Sequence, residues 1–434
     1  MEKTVGETSP APDWGHAKQI FFRFAFVYLL IYNITFPLNF LVFFGDFVQK
    51  IAKPYEDFWN AVVPWVGSHM FGITVTVHPS GSGDMAYNYV QVFCYLVFSI
   101  AATAVWTSVD RRRTNYRRLS DWLRVWVRFA LALTMMLYGS VKIVKSQFPY
   151  PSLDRLVQPF GDASPMGLLW TFMGASESYN VFTGAGEFLS GLLLTARRTT
   201  LLGALIGIGV LSNVVMLNFS YDVPVKQFSL HLLAMAIFLA AHDARRLTNL
   251  FLFNRTVPAD AFRPLFRWRW LNIAAIVLRT LLVASFAGWT LWNATESRAK
   301  FGDTAPKSPL YGIWNVEEFA VDGKARPPLV TDETRWRRLV FDYPKMLGIQ
   351  LMSDSRQRYL LELDTEKRIL GLAKRDDPGW KATLGYQQPE PDVLIVDGKL
   401  DGRSILAKLR RNDPKEFLLM SRGFHWVSEY PFNR

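Results

Sequence analysis

Residues 179–243 read YNVFTGAGEFLSGLLLTARRTTLLGALIGIGVLSNVVMLNFSYDVPVKQFSLHLLAMAIFLAAHD, three apolar runs joined by very short connections. Arg197, Arg198, Thr199 and Thr200 link the first run to the second, and the polar turn from Ser220 to Lys226 links the second to the third. Apolar runs this close can only be antiparallel helices packed on one another. Inside them stand Glu187, Asn213, Asn218, Asp222, Lys226 and His231. A charge at bilayer depth is costly unless it is paired or hydrated, so such groups mark either a site or a structural pair.

Similar runs recur outward from this stretch. Half of the 434 residues are hydrophobic, and spans of about 20 residues fall near 20–44, 87–107, 124–145, 180–196, 200–219, 226–241 and 271–293. The sequence thus predicts a polytopic α-helical membrane protein with seven transmembrane helices. A large soluble helical core would need connections of mixed charge, and these are sorted instead. Arg111, Arg112, Arg113, Arg117, Arg118, Arg124, Arg128, Arg197, Arg198, Arg245, Arg246, Arg255, Arg263, Arg267 and Arg269 share one set of loops. The alternate set holds only Lys50, Lys53, Lys142, Lys145, Arg155 and Lys226. An excess of Lys and Arg marks cytoplasmic loops. The expected placement is a bacterial inner (plasma) membrane, with the N-terminus cytoplasmic and the C-terminal domain extracytoplasmic. Much of the net charge of +12 is then a topology signal, and no nucleic-acid partner is expected.

Lys18 and Arg23 lead into the first run with no small-residue cleavage site, so that helix is expected to stay as an anchor behind a mobile segment, 1–19. The lone Cys94 excludes an intrachain disulfide or dithiol mechanism. The long connection 46–85 carries YEDFWNAVVPWVGSHMF, an amphipathic stretch suited to a membrane surface, and ends in the turn Gly81-Ser-Gly-Asp84. In the outer loop 146–178, Ser164-Pro165 before an apolar run signals a helix start, hence a short interfacial or re-entrant helix. Arg279, inside the seventh run, is expected to snorkel to the inner face.

From about residue 300 the long runs stop. Short alternating stretches follow, from YGIWNVEEFAV through SILAKLRR to EFLLMSRGFHWVSE, with turn residues between them. Charge here is nearly balanced, 24 basic against 21 acidic residues over 294–434, as in a soluble module. The expected arrangement is a transmembrane domain over 20–293, a linker over 294–308 and an all-β barrel over 309–434, up-and-down in topology. Gly312-Ile313-Trp314 with the late Arg422 resembles the lipocalin pairing, in which a first-strand Trp packs under an Arg from the last strand. Another β-barrel or a sandwich is the alternative.

The membrane part resembles the DoxX-like family over about residues 122–245. The likeness is carried by Gly139-x-x-Lys142, Gly184-x-x-Glu187 with Gly191-Leu-Leu-Leu, and Arg197-Arg-Thr-Thr-Leu-Leu-Gly203. Asn213-Val-Val-Met-Leu-Asn218, Tyr221-Asp-Val-Pro-Val-Lys226 and His231-Leu-Leu complete it. The resemblance implies a four-helix core from the third to the sixth span. It also implies, for some members, quinone-coupled oxidation or membership of a membrane oxidoreductase assembly. Three further spans and a β-domain depart from the short family pattern.

Lys142, Glu187, Asp222 and His231 are the candidate catalytic residues, and Asp84, Lys145, Asp162, Asn218 and Lys226 the candidate ligand-binding ones. They are expected at the outer ends of the helices, with Lys142 and Glu187 approaching each other or sharing Asp222 or His231. A paired Lys and Glu can shift each other's pKa and pass protons, as quinol oxidation requires. The plainer reading is an ion-pair network that ties helix ends together. Two function classes follow. One is a quinone-linked oxidoreductase or its membrane subunit, working with a redox or membrane-complex partner. The other is a non-catalytic module that binds lipid or a small apolar ligand, or scaffolds a complex through its β-domain.

Overall fold

In the computed structural model, residues 13–36, 46–78, 80–257, 267–377 and 379–433 are described. Parts of the expected N-terminal segment (1–19) and first span (20–44), and Arg263, lie outside them. The helices in chain order are α1 His16–Tyr32, α2 Asp46–Phe71, α3 Ala86–Val109, α4 Arg117–Ile143, α5 Leu153–Leu156, α6 Pro165–Ala175, α7 Glu177–Leu194, α8 Thr200–Ser220, α9 Lys226–Ala241, α10 Ala244–Phe251, α11 Arg269–Phe301 and α12 Leu418–Ser421. The chain divides into two compact units, Met1–Ile143 with Phe182–Trp292, and Val144–Val181 with Asn293–Arg434.

The first unit is α-helical, with several apolar helices. Its core stacks Leu123, Val127, Leu131 and Met135 of α4 on Leu211 of α8 and on Leu232, Met235 and Leu239 of α9. Helices α8 and α7 meet along a small-residue seam. A Cβ on Gly203 would lie 2.9 Å from the backbone nitrogen of Leu194, and the Ser190 hydroxyl donates to the Gly203 carbonyl at 2.9 Å. Such residues let helix backbones approach closely. Arg23 on α1 is buried, and donates to the Tyr116 hydroxyl at 2.6 Å, Thr107 Oγ1 at 2.8 Å and the Asp110 carbonyl at 2.9 Å. It therefore ties α1 to the end of α3 and the loop beyond.

By length and composition α3, α4, α8 and α11 are each long and apolar enough to cross a membrane; α9 with α10 makes a fifth if that pair, bent by 75°, is one span. Among the described residues α1 and α7 do not reach that combination of length and hydropathy. The expected loop 46–85 is largely the helix α2, whose Trp59, Val63 and Val66 pack with Val90 and Tyr95 of α3. The expected linker at 294 is also shorter, because α11 runs on to Phe301.

The second unit holds a closed antiparallel barrel of eight strands: β1 Gly312–Val321, β3 Trp336–Phe341, β4 Met346–Leu351, β5 Arg356–Asp364, β6 Ile369–Ala373, β7 Lys381–Glu390, β8 Val393–Leu400 and β9 Arg403–Asn412. A two-residue strand, β2 Lys324–Ala325, folds back on β1. Neighbours in sequence pair in turn, and β9 returns to β1 to close the ring. Two connections are Asp-Gly turns: Asp322-Gly323 (φ 52° and 73°) and Asp401-Gly402 (φ 49° and 79°) have the left-handed backbone that two-residue hairpins need. Alternate residues point inward, so Trp314, Phe319, Trp336, Phe341, Leu347 and Tyr359 help fill the interior.

Two expectations for this unit need correction. The last apolar stretch is not a strand: Pro414–Glu416 is a 3-10 turn and Leu418–Ser421 a short helix. Accordingly the Arg beside buried Trp314 is not Arg422, which sits 4.2 Å from the Phe432 ring. It is Arg411, opposite Trp314 in the β1–β9 register, with its guanidinium 5.9 Å from the indole. The barrel's last strand ends earlier than the apolar pattern suggests, and the register selects the arginine.

The segment 144–181, expected within the transmembrane domain, belongs to the barrel unit. Ile313 and Val340 alternate with inward residues and so face out of the barrel, where Leu153 and Val157 cover them. Asp154 accepts from Arg356 at 3.1 Å and Arg358 at 2.6 Å, while Gln350 donates to the Val157 carbonyl at 3.3 Å. Leu153→Ala is expected to destabilise this unit by about 2–3 kcal/mol, read as a lower unfolding temperature of the barrel tryptophan signal. A change within error would mean that the cover is incidental.

Candidate functional site

Helices α4 and α7 touch backbone to backbone. A Cβ on Gly139 would lie 2.6 Å from the Phe188 nitrogen, and one on Gly184 would lie 2.7 Å from the Ile143 nitrogen. Three residues after each glycine comes a charge, Lys142 on α4 and Glu187 on α7. One helical step of three keeps residues on the same face, so the contact that fits the glycines also brings the charges together. Lys142 Nζ donates to Glu187 Oε1, with the two side chains 9% and 4% exposed. Glu187 Oε2 is buried with no hydrogen-bond partner among the described residues. Tyr138, one turn before Lys142, lies within electrostatic reach of this carboxylate.

The other expected residues fall into separate groups. Asp84 caps α9, accepting from the backbone N–H groups of Lys226 at 2.7 Å and Gln227 at 3.1 Å. Lys226 Nζ lies 4.0 Å from that carboxylate and donates to exposed Asp222 at 2.7 Å. The Gly81–Asp84 turn is therefore a clamp on a helix start, placed by the Gly83 N–H to Pro224 carbonyl bond of 2.8 Å. His231 does not join Lys142 or Glu187. Its Nδ1 faces the Gln227 carbonyl at 2.7 Å, an acceptor, so Nδ1 carries the proton and Nε2 accepts from the Tyr28 hydroxyl at 2.6 Å. The imidazole stacks on Tyr32 with 4.0 Å between ring centres. Asn218 is buried, with its carbonyl accepting from Val223 N–H at 2.9 Å and its Nδ2 without a partner among the described residues. Asp162 is exposed at the end of the 3-10 turn Phe160–Asp162. Sequence reasoning passed over Tyr28 and Tyr32, though their spacing of four puts both on one face of α1.

Lys145 lies in the other unit, with left-handed backbone (φ 62°) and a fully buried side chain over the Tyr150 ring. Tyr150 in turn donates to Glu177 at 3.1 Å, and Arg298 pairs with Asp303 at 2.8 Å. Burial pushes the Lys145 amine down from 10.5 to about 8, against the pull of Asp303 and Glu177. A lowered lysine pKa means that the unfolded chain binds more protons between those two values. Stability therefore rises as the pH climbs through about 8 towards about 10.5, and its penalty is complete below that window. Thermal unfolding at roughly pH 7 and roughly pH 9.5 is expected to show a gain that Lys145→Met lacks. Parallel profiles for the two proteins would show that the amine stays charged in the fold.

An open depression of about 630 Å³ is lined by Arg267, Trp268, Arg269, Trp270 and Ile273, none of them an expected site residue. Among the described residues no three His, Cys, Asp or Glu side chains are grouped to hold a metal ion.

No protein-family model matches the chain, and no solved structure matches it. It is similar to the uncharacterized protein YwoB of Bacillus subtilis (strain 168), with 33% identity over 136 residues, which are 31% of this chain and 83% of YwoB.

Proposed function

Because the chain belongs, over 31% of its length, to the family of the uncharacterized Bacillus subtilis protein YwoB, we propose a function from the chemistry of its buried pair. In this reading the protein is a seven-span membrane protein of DoxX-like type. Its N-terminus is cytoplasmic and its lipocalin-like barrel extracytoplasmic. The Lys142–Glu187 pair receives the polar head of a small, otherwise apolar ligand of the quinone/quinol class. What supports it is the half-satisfied carboxylate: Oε1 holds Lys142, while Oε2 is buried and unpartnered. A buried polar atom without a partner is rare in native structures and calls for an explanation. A quinol hydroxyl donates to Oε2, and on two-electron oxidation Glu187 takes that proton, the second quinol proton passes to bulk water and both electrons pass to a redox partner protein.

The test is mass spectrometry of compounds that copurify in mild detergent. The expected result is quinone or quinol with the wild type, lost in Glu187→Gln although the protein stays folded. Phospholipid alone in both would support a second reading, a non-catalytic module in which the pair only pins two helices. The tight approach at Gly139 and Gly184 favours that alternative.

A further inference from the structure

Away from that pair, arginines collect where α4, α10 and α11 come together. Arg124 and Arg128 lie one turn apart on α4, and Arg128 is within electrostatic reach of Arg124, Arg279 and Arg197. Buried Asp243 takes Arg124 at 2.9 Å on one oxygen and Arg246 at 2.9 Å on the other. Neither Arg128 nor Arg279 has a carboxylate partner among the described residues. The Nε atoms of Arg128 and Arg246 are buried with no acceptor among them. Arg124, Arg128, Arg246 and Arg279 are each half-buried, and the acidic groups near them are Asp243, buried, and Asp121, exposed, which with Arg124 lie within electrostatic reach of His242. Two positive charges remain uncompensated, with donors already in place for an anion.

We propose that this cluster binds the phosphodiester headgroup of an anionic phospholipid. Arg128 and Arg279 sit well inside α4 and α11, helices of membrane-crossing length, not in the loops where topology alone places arginine. The two helices run side by side in the same direction, joined further along by Leu133 and Met136 against Val283 and Phe286, and by the Ser140–Thr290 hydroxyl bond. Exposed apolar side chains flank the guanidinium groups, Val125 on α4 and Ile276, Leu278 and Leu282 on α11. A headgroup phosphate satisfies the arginines while its acyl chains lie on that surface, which a free anion does not use. Basic pockets between helices on the cytoplasmic side bind anionic lipid heads by this chemistry. The inference rests on the membrane reading given above.

The experiment is native mass spectrometry of the full chain, delipidated in mild detergent and offered phosphatidylglycerol, phosphatidylcholine or inorganic phosphate. Phosphatidylglycerol is expected to be retained over phosphatidylcholine, and about tenfold less by Arg128→Gln/Arg279→Gln, the order of one charge-assisted hydrogen bond. Arg245→Gln, which removes from an exposed side chain the same single charge as Arg279→Gln alone, is expected to bind as the wild type does. Should the double variant fail to fold, the single Arg279→Gln gives the same comparison. Equal retention of the two lipids, an unaffected arginine variant, or competition by inorganic phosphate alone would each overturn the proposal. A chain that stays in solution without detergent would sink the membrane reading itself, whereas a detergent-dependent chain with no lipid preference would sink only this inference.

Discussion

Glu187→Ala is expected to destabilise the helical unit by about 3–5 kcal/mol, because it strands Lys142 as a buried, uncompensated cation. Lys142 and Glu187 are both nearly inaccessible, with side chains 9% and 4% exposed. Lys142→Ala is expected to cost a similar amount from the other side. The double variant Lys142→Met/Glu187→Leu removes both charges and is expected to recover most of the loss. Thermal unfolding in detergent reads all three. If Glu187→Ala melts with the wild type, the pair is hydrated in solution and the buried-pair reading fails. Recovery in the double variant shows only that the pair is separable from the fold. Ligand loss in Glu187→Gln then decides whether it has a further role.

The second large effect is expected in the barrel. Trp314 is 1% exposed at the closing seam between β1 and β9, and its indole N–H donates to the Leu310 carbonyl at 2.9 Å. Trp314→Ala empties that space and leaves the Leu310 carbonyl unpaired, for an expected loss of about 3–5 kcal/mol. Arg411→Ala is expected to cost less, since the Arg411 side chain is exposed and its guanidinium donates to the Tyr311 carbonyl at 2.7 Å. Urea unfolding followed by β-type circular dichroism separates the two. Equal losses would mean that the guanidinium, not the indole, closes the barrel.

The strands from β1 to β9 were legible because alternation and turn residues act locally, and Asp-Gly at 322–323 and 401–402 marks two hairpins outright. The arginine over Trp314 was not legible, since only the ladder register distinguishes Arg411 from Arg422. The Lys142–Glu187 contact was readable because each charge follows a glycine by three residues within an apolar run. The single polar cluster expected around it was not formed. Asp84 is consumed as a cap on α9, and His231 is engaged by tyrosines that looked like ordinary span residues. Nor could loop composition show that 144–181 covers the barrel, because Leu153 and Val157 acquire meaning only beside Ile313 and Val340.

That cover has a consequence for how the protein is made. Residues 144–181 emerge during synthesis well before β1, and the barrel has no closed ring until β9 reaches β1. Until then the nascent chain carries Leu153 and Val157 without their seat, and a sheet with unpaired edges, both hazards for sticking to other chains. Contacts so distant in sequence also form slowly. Arrested chains ending before Arg403 are therefore expected to leave the 153–157 region open to protease, and chains reaching past Asn412 to shield it. Early shielding would show that this segment finds another shelter first.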